Sequence, residues 1–97
     1  MSINIVLEIN ADPKGQETLL TTLQTILPDT RSYDGCNEVI VLTNQDDPYN
    51  FVLLENWESR EKYEKYLSWR QERGDLDALG EMLSQPPSIK FYNTSTY

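Results

Sequence analysis

Four aromatic side chains lie close together in the second half of the sequence and are the strongest candidates for ligand chemistry. Trp57, Tyr63, Tyr66 and Trp69 fall within thirteen residues. Aromatic rings stack on flat ligands, and tyrosine hydroxyls can orient a ligand through hydrogen bonds. Two interpretations of this segment stay open, and in one of them some of the rings line a cavity for a small aromatic molecule. The alternative is that the same rings form only the core between a helix and a sheet.

The sequence lacks the residues on which many catalytic sites depend. It contains no histidine, a single cysteine (Cys36), and neither a P-loop nor a GxGxxG motif. Ser-His-Asp sites, Cys-His sites and histidine metal ligands are therefore excluded. Cys36 cannot form an internal disulfide and is expected to pack as a small hydrophobic residue. We interpret the acidic pair Asp46-Asp47 as a solvated turn and expect no metal site.

The charge balance limits the classes of partner. The chain carries 16 acidic and 8 basic residues, a net charge of −8. An acidic surface repels phosphate backbones and anionic lipid head groups, so nucleic acids and membranes are not expected partners. A length of 97 residues predicts a single domain over residues 1–97. The sequence shows neither a signal-peptide pattern nor a long apolar run, which predicts a cytoplasmic location.

Strands are predicted where apolar residues alternate or form short runs between turn signals. The alternation is strictest in the first segment, where every second residue from Ile3 to Ile9 is aliphatic. The four predicted strands are Met1–Asn10, Cys36–Asn44, Tyr49–Glu58 and Ser88–Asn93.

Two helical segments are predicted between these strands. The first has Asp12 as N-cap and Pro13 at its first position, and it ends near Leu27 or a few residues past Pro28. The second opens at Ser59 and is interrupted by Gly74. The helical piece after this glycine is expected to cover Leu76, Leu79, Met82 and Leu83.

This order of elements predicts an α+β fold of the ferredoxin-like βαββαβ type with an antiparallel sheet. The two middle strands are apolar on both faces, because Val39-Ile40-Val41-Leu42 and Phe51-Val52-Leu53-Leu54 are uninterrupted runs. Helices on one face would leave the other face bare, and the chain is too short to supply a second cover. We therefore expect a second copy to cover it, giving a homodimer or a higher homo-oligomer.

Two stretches resemble the antibiotic biosynthesis monooxygenase (ABM) domain family. They are Asp34-Gly35-Cys36 and the run FVLLENWESRE over residues 51–61, which leads into a helix. The likeness extends from Ile3 to Phe91. It implies a ferredoxin-like protomer whose sheet packs against a second copy in a dimeric α+β barrel. It also implies an oxygenase that uses O₂ without metal, haem or flavin, because the substrate anion supplies the electrons.

The resemblance also suggests site residues. In its polyketide-oxidising branch a tryptophan and a tyrosine six residues later line the pocket, and Trp57 and Tyr63 have this spacing. An asparagine lies four residues before that tryptophan, where this chain has Leu53, and Asn56 cannot replace it because it points to the opposite sheet face. The haem-degrading branch needs a histidine for iron, so a haem function is excluded.

Two function hypotheses follow. The first is a cofactor-independent monooxygenase for a small phenolic or quinol-type substrate. Its proposed catalytic residues are Tyr63, which would hydrogen-bond the substrate oxygen, and Arg70 and Arg73, which would hold negative charge. Its proposed substrate-binding residues are Trp57, Tyr66, Leu53 and Trp69. The second hypothesis is a non-catalytic small-ligand-binding or regulatory barrel, which the missing histidine and Leu53 favour. The alternative role of the two arginines is surface pairing with Glu64, Glu72 or Asp77.

Overall fold

The computed structural model describes residues 2–97, in which a four-stranded antiparallel sheet carries three helices. The elements are β1 (Ile3–Asn10), α1 (Gln16–Ser32), β2 (Cys36–Thr43), β3 (Asn50–Trp57), α2 (Arg60–Glu72), α3 (Asp75–Gly80) and β4 (Ser88–Tyr92). The strand order is β2-β3-β1-β4, and every neighbouring pair is antiparallel. The predicted ferredoxin-like α+β class is confirmed. Met1, where the first strand was expected to start, lies outside the described residues.

Helix α1 begins later than the sequence predicts. The carboxylate of Asp12 accepts the backbone N–H of Lys14 at 2.9 Å, which holds this part of the chain in a turn instead of capping a helix. The N-cap is Gly15, and Pro28 lies inside the helix, which continues to Ser32. Pro28 is exposed, so the carbonyl four residues earlier, which receives no N–H from it, can face water.

The second helical segment starts as predicted. The Ser59 hydroxyl accepts the backbone N–H of Lys62 at 3.2 Å, and Gly74, with φ of 81°, separates α2 from α3. The prediction that Met82 and Leu83 continue the second helical piece is wrong, since α3 ends at Gly80. Leu83 instead bridges to Ala11, so pairing with the end of β1 replaces another helical turn.

The two faces of the sheet differ in exposure. On the face that carries the helices, side chains such as Phe51, Leu53 and Trp57 are 2%, 3% and 0% exposed. The opposite surface, here called the outer face, carries the apolar side chains of Val6, Ile40, Leu42, Val52, Leu54 and Tyr92. Ile40, Leu42 and Leu54 are 42%, 44% and 38% exposed. The expectation of a sheet with two apolar faces is confirmed, and its cover by a second copy stays a prediction.

The end of helix α1 is tied to the edge of the sheet. Strand β2 is an edge strand, and the guanidinium of Arg31 reaches the carbonyl of Val39 in it. Nε and Nη2 of Arg31 donate to this oxygen at 3.3 and 3.2 Å. A charged group therefore occupies a backbone acceptor of the edge strand.

The helices are too short or too polar for a bilayer. Within residues 2–97 no helix has the length and apolarity needed to cross a membrane.

Candidate functional site

A cavity of about 200 Å³ lies between the sheet and the helices. Strands β1 and β3 form its floor, α1 and α2 its walls, and α3 with the following turn its roof. An aliphatic cluster packs on one side and an aromatic cluster on the other. Since a cavity of about 150 Å³ can hold benzene, this volume suits a molecule of one or two rings.

The lining of the cavity is aliphatic except at four residues. These are Thr30, Glu55, Tyr63 and Tyr66, from α1, β3 and α2. Their polar atoms are the only side-chain groups among the described lining residues that could orient a ligand by hydrogen bonds. Specificity in such a site depends on which of these groups are still free to bond.

Glu55 is a carboxylate on the floor of the cavity. It alternates with Leu53 and Trp57 on β3, so its side chain points toward the helices, and the residue is 6% exposed. Its Oε1 accepts the indole N–H of Trp57 at 3.0 Å. Burial raises the pKa of Glu55, and the Trp57 hydrogen bond partly offsets this rise. The carboxylate can therefore accept a proton more readily than an exposed glutamate.

Tyr63 places a phenol on the same cavity. The residue is 1% exposed, and its hydroxyl makes no side-chain hydrogen bond within residues 2–97. Its pKa is raised far above the ordinary value, first by burial and then by the negative charge of Glu55. Tyr63 therefore stays protonated and can donate a hydrogen bond to a ligand oxygen.

Tyr66 also lines the cavity, but its hydroxyl is already engaged. Its oxygen lies 2.6 Å from the Thr30 hydroxyl and accepts from Nε of Arg70 at 2.9 Å. Nη2 of Arg70 donates to Thr30 at 3.0 Å and to the carbonyl of Ile26 at 2.8 Å. This network fixes α2 against α1, so the ring of Tyr66 is a rigid wall of the site.

The two arginines proposed to hold negative charge lie outside the cavity lining. Arg70 is 1% exposed, and its Nη1 donates to Asp75 at 2.9 Å. Arg73 is half-exposed and donates to the same carboxylate at 3.1 Å. The expected partners Glu64, Glu72 and Asp77 are therefore wrong, because the turn at Gly74 brings Asp75 back to both guanidinium groups.

Trp57 and Trp69 also lie outside the cavity lining. Trp57 is fully buried against Tyr63 and Tyr66, with ring centroids 5.4 and 5.0 Å away. Trp69 packs against Tyr33 at 5.1 Å and under the guanidinium of Arg70 at 4.7 Å. Both rings therefore support the site from behind.

The structure thus brings Leu53, Tyr63 and Tyr66 to the cavity and places the other four predicted site residues behind it. Sequence reasoning missed Glu55. The signal was present, because Glu55 is a charged residue in phase with the inward-facing apolar positions of an alternating strand. No group of three or more His, Cys, Asp or Glu side chains in residues 2–97 is placed to hold a metal ion.

Most of the residues that line the cavity lie in a part of the chain that matches a known protein family. The sequence profile of the antibiotic biosynthesis monooxygenase family matches residues 2–71, which include β1, β3 and α2. The chain belongs to this family. The matched region contains the three predicted cavity residues and Glu55. Among curated proteins none matches the chain.

Solved structures show that this fold is shared over nearly the whole chain. A conserved protein from Methanosarcina mazei Go1 superposes with a TM-score of 0.88 at 17% identity, covering 98% of this chain and 94% of its own. Rv0793 from Mycobacterium tuberculosis superposes with a TM-score of 0.82 at 20% identity, covering 100% of this chain and 98% of its own. PA3566 from Pseudomonas aeruginosa superposes with a TM-score of 0.77 at 22% identity, covering 97% of this chain and 95% of its own. At these identities the likeness establishes the fold.

Proposed function

We propose that this ABM-family chain is a cofactor-independent monooxygenase that oxidises a small phenolic or quinol-type substrate with O₂. The observation that carries the proposal is an apolar cavity of ring size lined by Glu55 and by Tyr63, whose hydroxyl has no side-chain partner within residues 2–97. The aliphatic lining would hold the ring of the substrate. Tyr63 would donate a hydrogen bond to its oxygen, and this bond strengthens as that oxygen becomes an anion.

The reaction balances without an external reductant. For a hydroquinone, the substrate and O₂ give a hydroxyquinone and water. The substrate loses four electrons in all. One oxygen atom enters the ring in place of hydrogen, and the other leaves as water. The proposal therefore includes no cofactor, because the substrate supplies every electron.

We also propose that the protein works as a homodimer through its outer face. The most exposed aliphatic side chains at the middle of these strands, Ile40, Leu42 and Leu54, lie where β2 and β3 pair. Burial of such a patch against a second copy would remove apolar area from water. A cytoplasmic location likewise stays a prediction.

A second candidate function is a non-catalytic ligand-binding or regulatory barrel. It is favoured by Leu53 on the cavity floor, and by the guanidinium of Arg70, which is already engaged by Tyr66, Thr30 and Asp75. Binding of an aromatic ligand without oxygen consumption would support this function.

Oxygen uptake by metal-free protein with a panel of hydroquinones tests the first proposal. We expect uptake above background, and a loss of about tenfold or more in Tyr63→Phe, which lacks the donor to the developing anion. Tyr49→Phe, a change at an exposed tyrosine, is the matched control and should behave as the wild type. Absence of uptake, with no effect of Tyr63→Phe, would leave the binding function as the better account.

A further inference from the structure

One carboxylate oxygen of Glu55 is tied and the other is free. Oε1 accepts from Trp57, whereas Oε2 makes no hydrogen bond within residues 2–97. Every fully buried side-chain nitrogen and oxygen in the described chain has a partner. An oxygen without one therefore has access to open space, and for the inward-pointing Glu55 that space is the cavity.

Among residues 2–97 no cation forms an ion pair with this carboxylate. Arg70, beside the cavity wall, is engaged by Tyr66, Thr30, Ile26 and Asp75. Arg31, whose charge reaches Cys36, donates to the carbonyl of Val39. The other groups around Glu55 are neutral at pH 7. They are Cys36 of β2, Tyr63 and Tyr66 of α2, Ile5 of β1 and Thr30 of α1. A carboxylate without a counter-charge in an apolar cavity is a stronger base than one in water.

Building on the proposed function, we propose that Glu55 is the proton acceptor of this cavity and that it restricts the site to neutral ligands with an O–H donor. The ligand hydroxyl donates to Oε2 of Glu55. Its O–H bond breaks, the proton passes to Oε2, and the electron pair stays on the ligand oxygen. The Tyr63 hydroxyl then donates a hydrogen bond to the resulting phenolate.

This step conserves charge within the cavity. One negative charge lies on Glu55 before the transfer and on the ligand oxygen after it, so no further charge is buried. A ligand that already carries a carboxylate or phosphate would place two negative charges in the same apolar space, which is costly. The substrate class is therefore an uncharged phenol or hydroquinone of one or two rings.

Trp57 acts as a positioning residue in this scheme. It does not line the cavity, yet its indole N–H is the hydrogen bond that holds Oε1. Packing between Tyr63 and Tyr66 keeps the ring in one orientation. The hydrogen bond lowers the pKa of Glu55 against the effect of burial, so its loss should move the pH profile of the reaction.

Anaerobic binding separates ligand selection from oxidation. We would titrate hydroquinone, 2,5-dihydroxybenzoate and 1,4-dimethoxybenzene into the oxygen-free protein and follow tyrosine and tryptophan fluorescence. The wild type should prefer hydroquinone about tenfold or more over both, because the second compound adds a charge and the third lacks a donor. In Glu55→Gln the preference over 2,5-dihydroxybenzoate should narrow. Equal binding of hydroquinone and 2,5-dihydroxybenzoate by the wild type would overturn the ligand restriction.

Oxygen uptake then tests the proton transfer. Glu55→Gln should bind hydroquinone within about threefold of the wild type and lose about a hundredfold in rate, the contribution typical of a general base. The exposed Glu72→Gln is the matched control and should retain the wild-type rate. An unchanged rate in Glu55→Gln would refute the role of proton acceptor. A wild type that selects ligands as above but consumes no oxygen would refute the oxygenase function and leave the ligand restriction standing.

A second variant, Trp57→Phe, tests the positioning role without any change to Glu55. Trp57→Phe removes the N–H donor while keeping an aromatic ring. The pH at which the rate reaches half its maximum should move upward, because Glu55 then ionises at higher pH. Tyr33→Phe changes a ring in contact with Trp57 without removing this donor, and should leave the pH profile in place. An unchanged profile in Trp57→Phe would exclude the positioning role.

Discussion

The indole nitrogen of Trp57 lies 3.0 Å from Oε1 of Glu55, two residues earlier on the same strand. This contact joins the aromatic cluster to the floor of the cavity. It also explains why the tryptophan lies behind the cavity wall, since its N–H is directed at the carboxylate.

The stability of the protein should depend on the protonation of Glu55. Burial raises its pKa in the folded state above the ordinary 4.5, so at intermediate pH the folded protein binds more protons than the unfolded chain. The contribution of Glu55 to the free energy of unfolding is then fully present below pH 4.5 and is lost as the pH rises through the folded-state pKa. Glu55→Gln lacks this dependence. We expect the free energy of unfolding of the wild type to fall relative to this variant as the pH rises, measured by urea unfolding. A constant difference between pH 4 and about pH 8 would contradict the raised pKa.

The Asp75 carboxylate should stabilise the fold in the opposite pH direction. Its hydrogen bonds with Arg70 and then Arg73 hold its pKa below the ordinary 3.8. The stabilisation is therefore present above this pH and is lost as the pH falls through the folded-state pKa. Asp75→Asn should lower the free energy of unfolding by about 1–2 kcal/mol at neutral pH, and the deficit should shrink in acid. Asp77→Asn, on the same short helix but exposed, is the control and should have little effect.

Filling the cavity should abolish ligand binding without unfolding the protein. Leu53→Phe adds volume at the cavity floor, where about 200 Å³ is open. We expect the dissociation constant for hydroquinone to rise by about tenfold or more, while the thermal midpoint stays near that of the wild type, since the ring enters existing space. Leu54→Phe makes the same change on the outer face and should bind as before. Wild-type affinity in Leu53→Phe would place the ligand elsewhere.

Charge on the outer face should break the proposed dimer. The double variant Ile40→Glu with Leu54→Glu places two carboxylates at neighbouring paired positions of β2 and β3. Burial of these charges against a second copy is unfavourable, so the dimer dissociation constant should rise by about a hundredfold or more. Sedimentation velocity at several concentrations measures this change, with Thr21→Glu at an exposed position of α1 as the control. A monomeric wild type would contradict the dimer proposal.

The sequence was sufficient for the features that depend on local pattern. Alternation placed β1, and the Ser59 hydroxyl marked the start of α2, because both signals lie within a few residues. Tyr63, Tyr66 and Arg70 have the three- and four-residue spacing of one helical face, and all three are buried in α2. The predicted start of α1 was wrong because an aspartate can either cap a helix or stabilise a turn, and the sequence around Asp12 does not distinguish the two roles.

The site itself depends on contacts between distant parts of the chain. Arg70 of α2 donates hydrogen bonds to Ile26 and Thr30 of α1. Because these partners lie about 40 residues earlier, the sequence around Arg70 does not show that its guanidinium points away from the cavity. Trp57 was expected to face the ligand, and only the three-dimensional arrangement shows that its N–H is used by Glu55. Glu55 could have been predicted from the sequence, because the alternation of β3 that places Leu54 on the outer face places Glu55 on the buried face.

The contact between Arg31 and the Val39 carbonyl limits how copies of this chain can associate. A bare edge strand can recruit another strand and extend the sheet from molecule to molecule, which is a route to fibrous aggregates. Here a strand arriving at β2 meets a positively charged side chain that already holds a backbone oxygen in the middle of that strand. Open-ended growth at this edge is thereby disfavoured, whereas the proposed pairing of two outer faces would give a closed dimer.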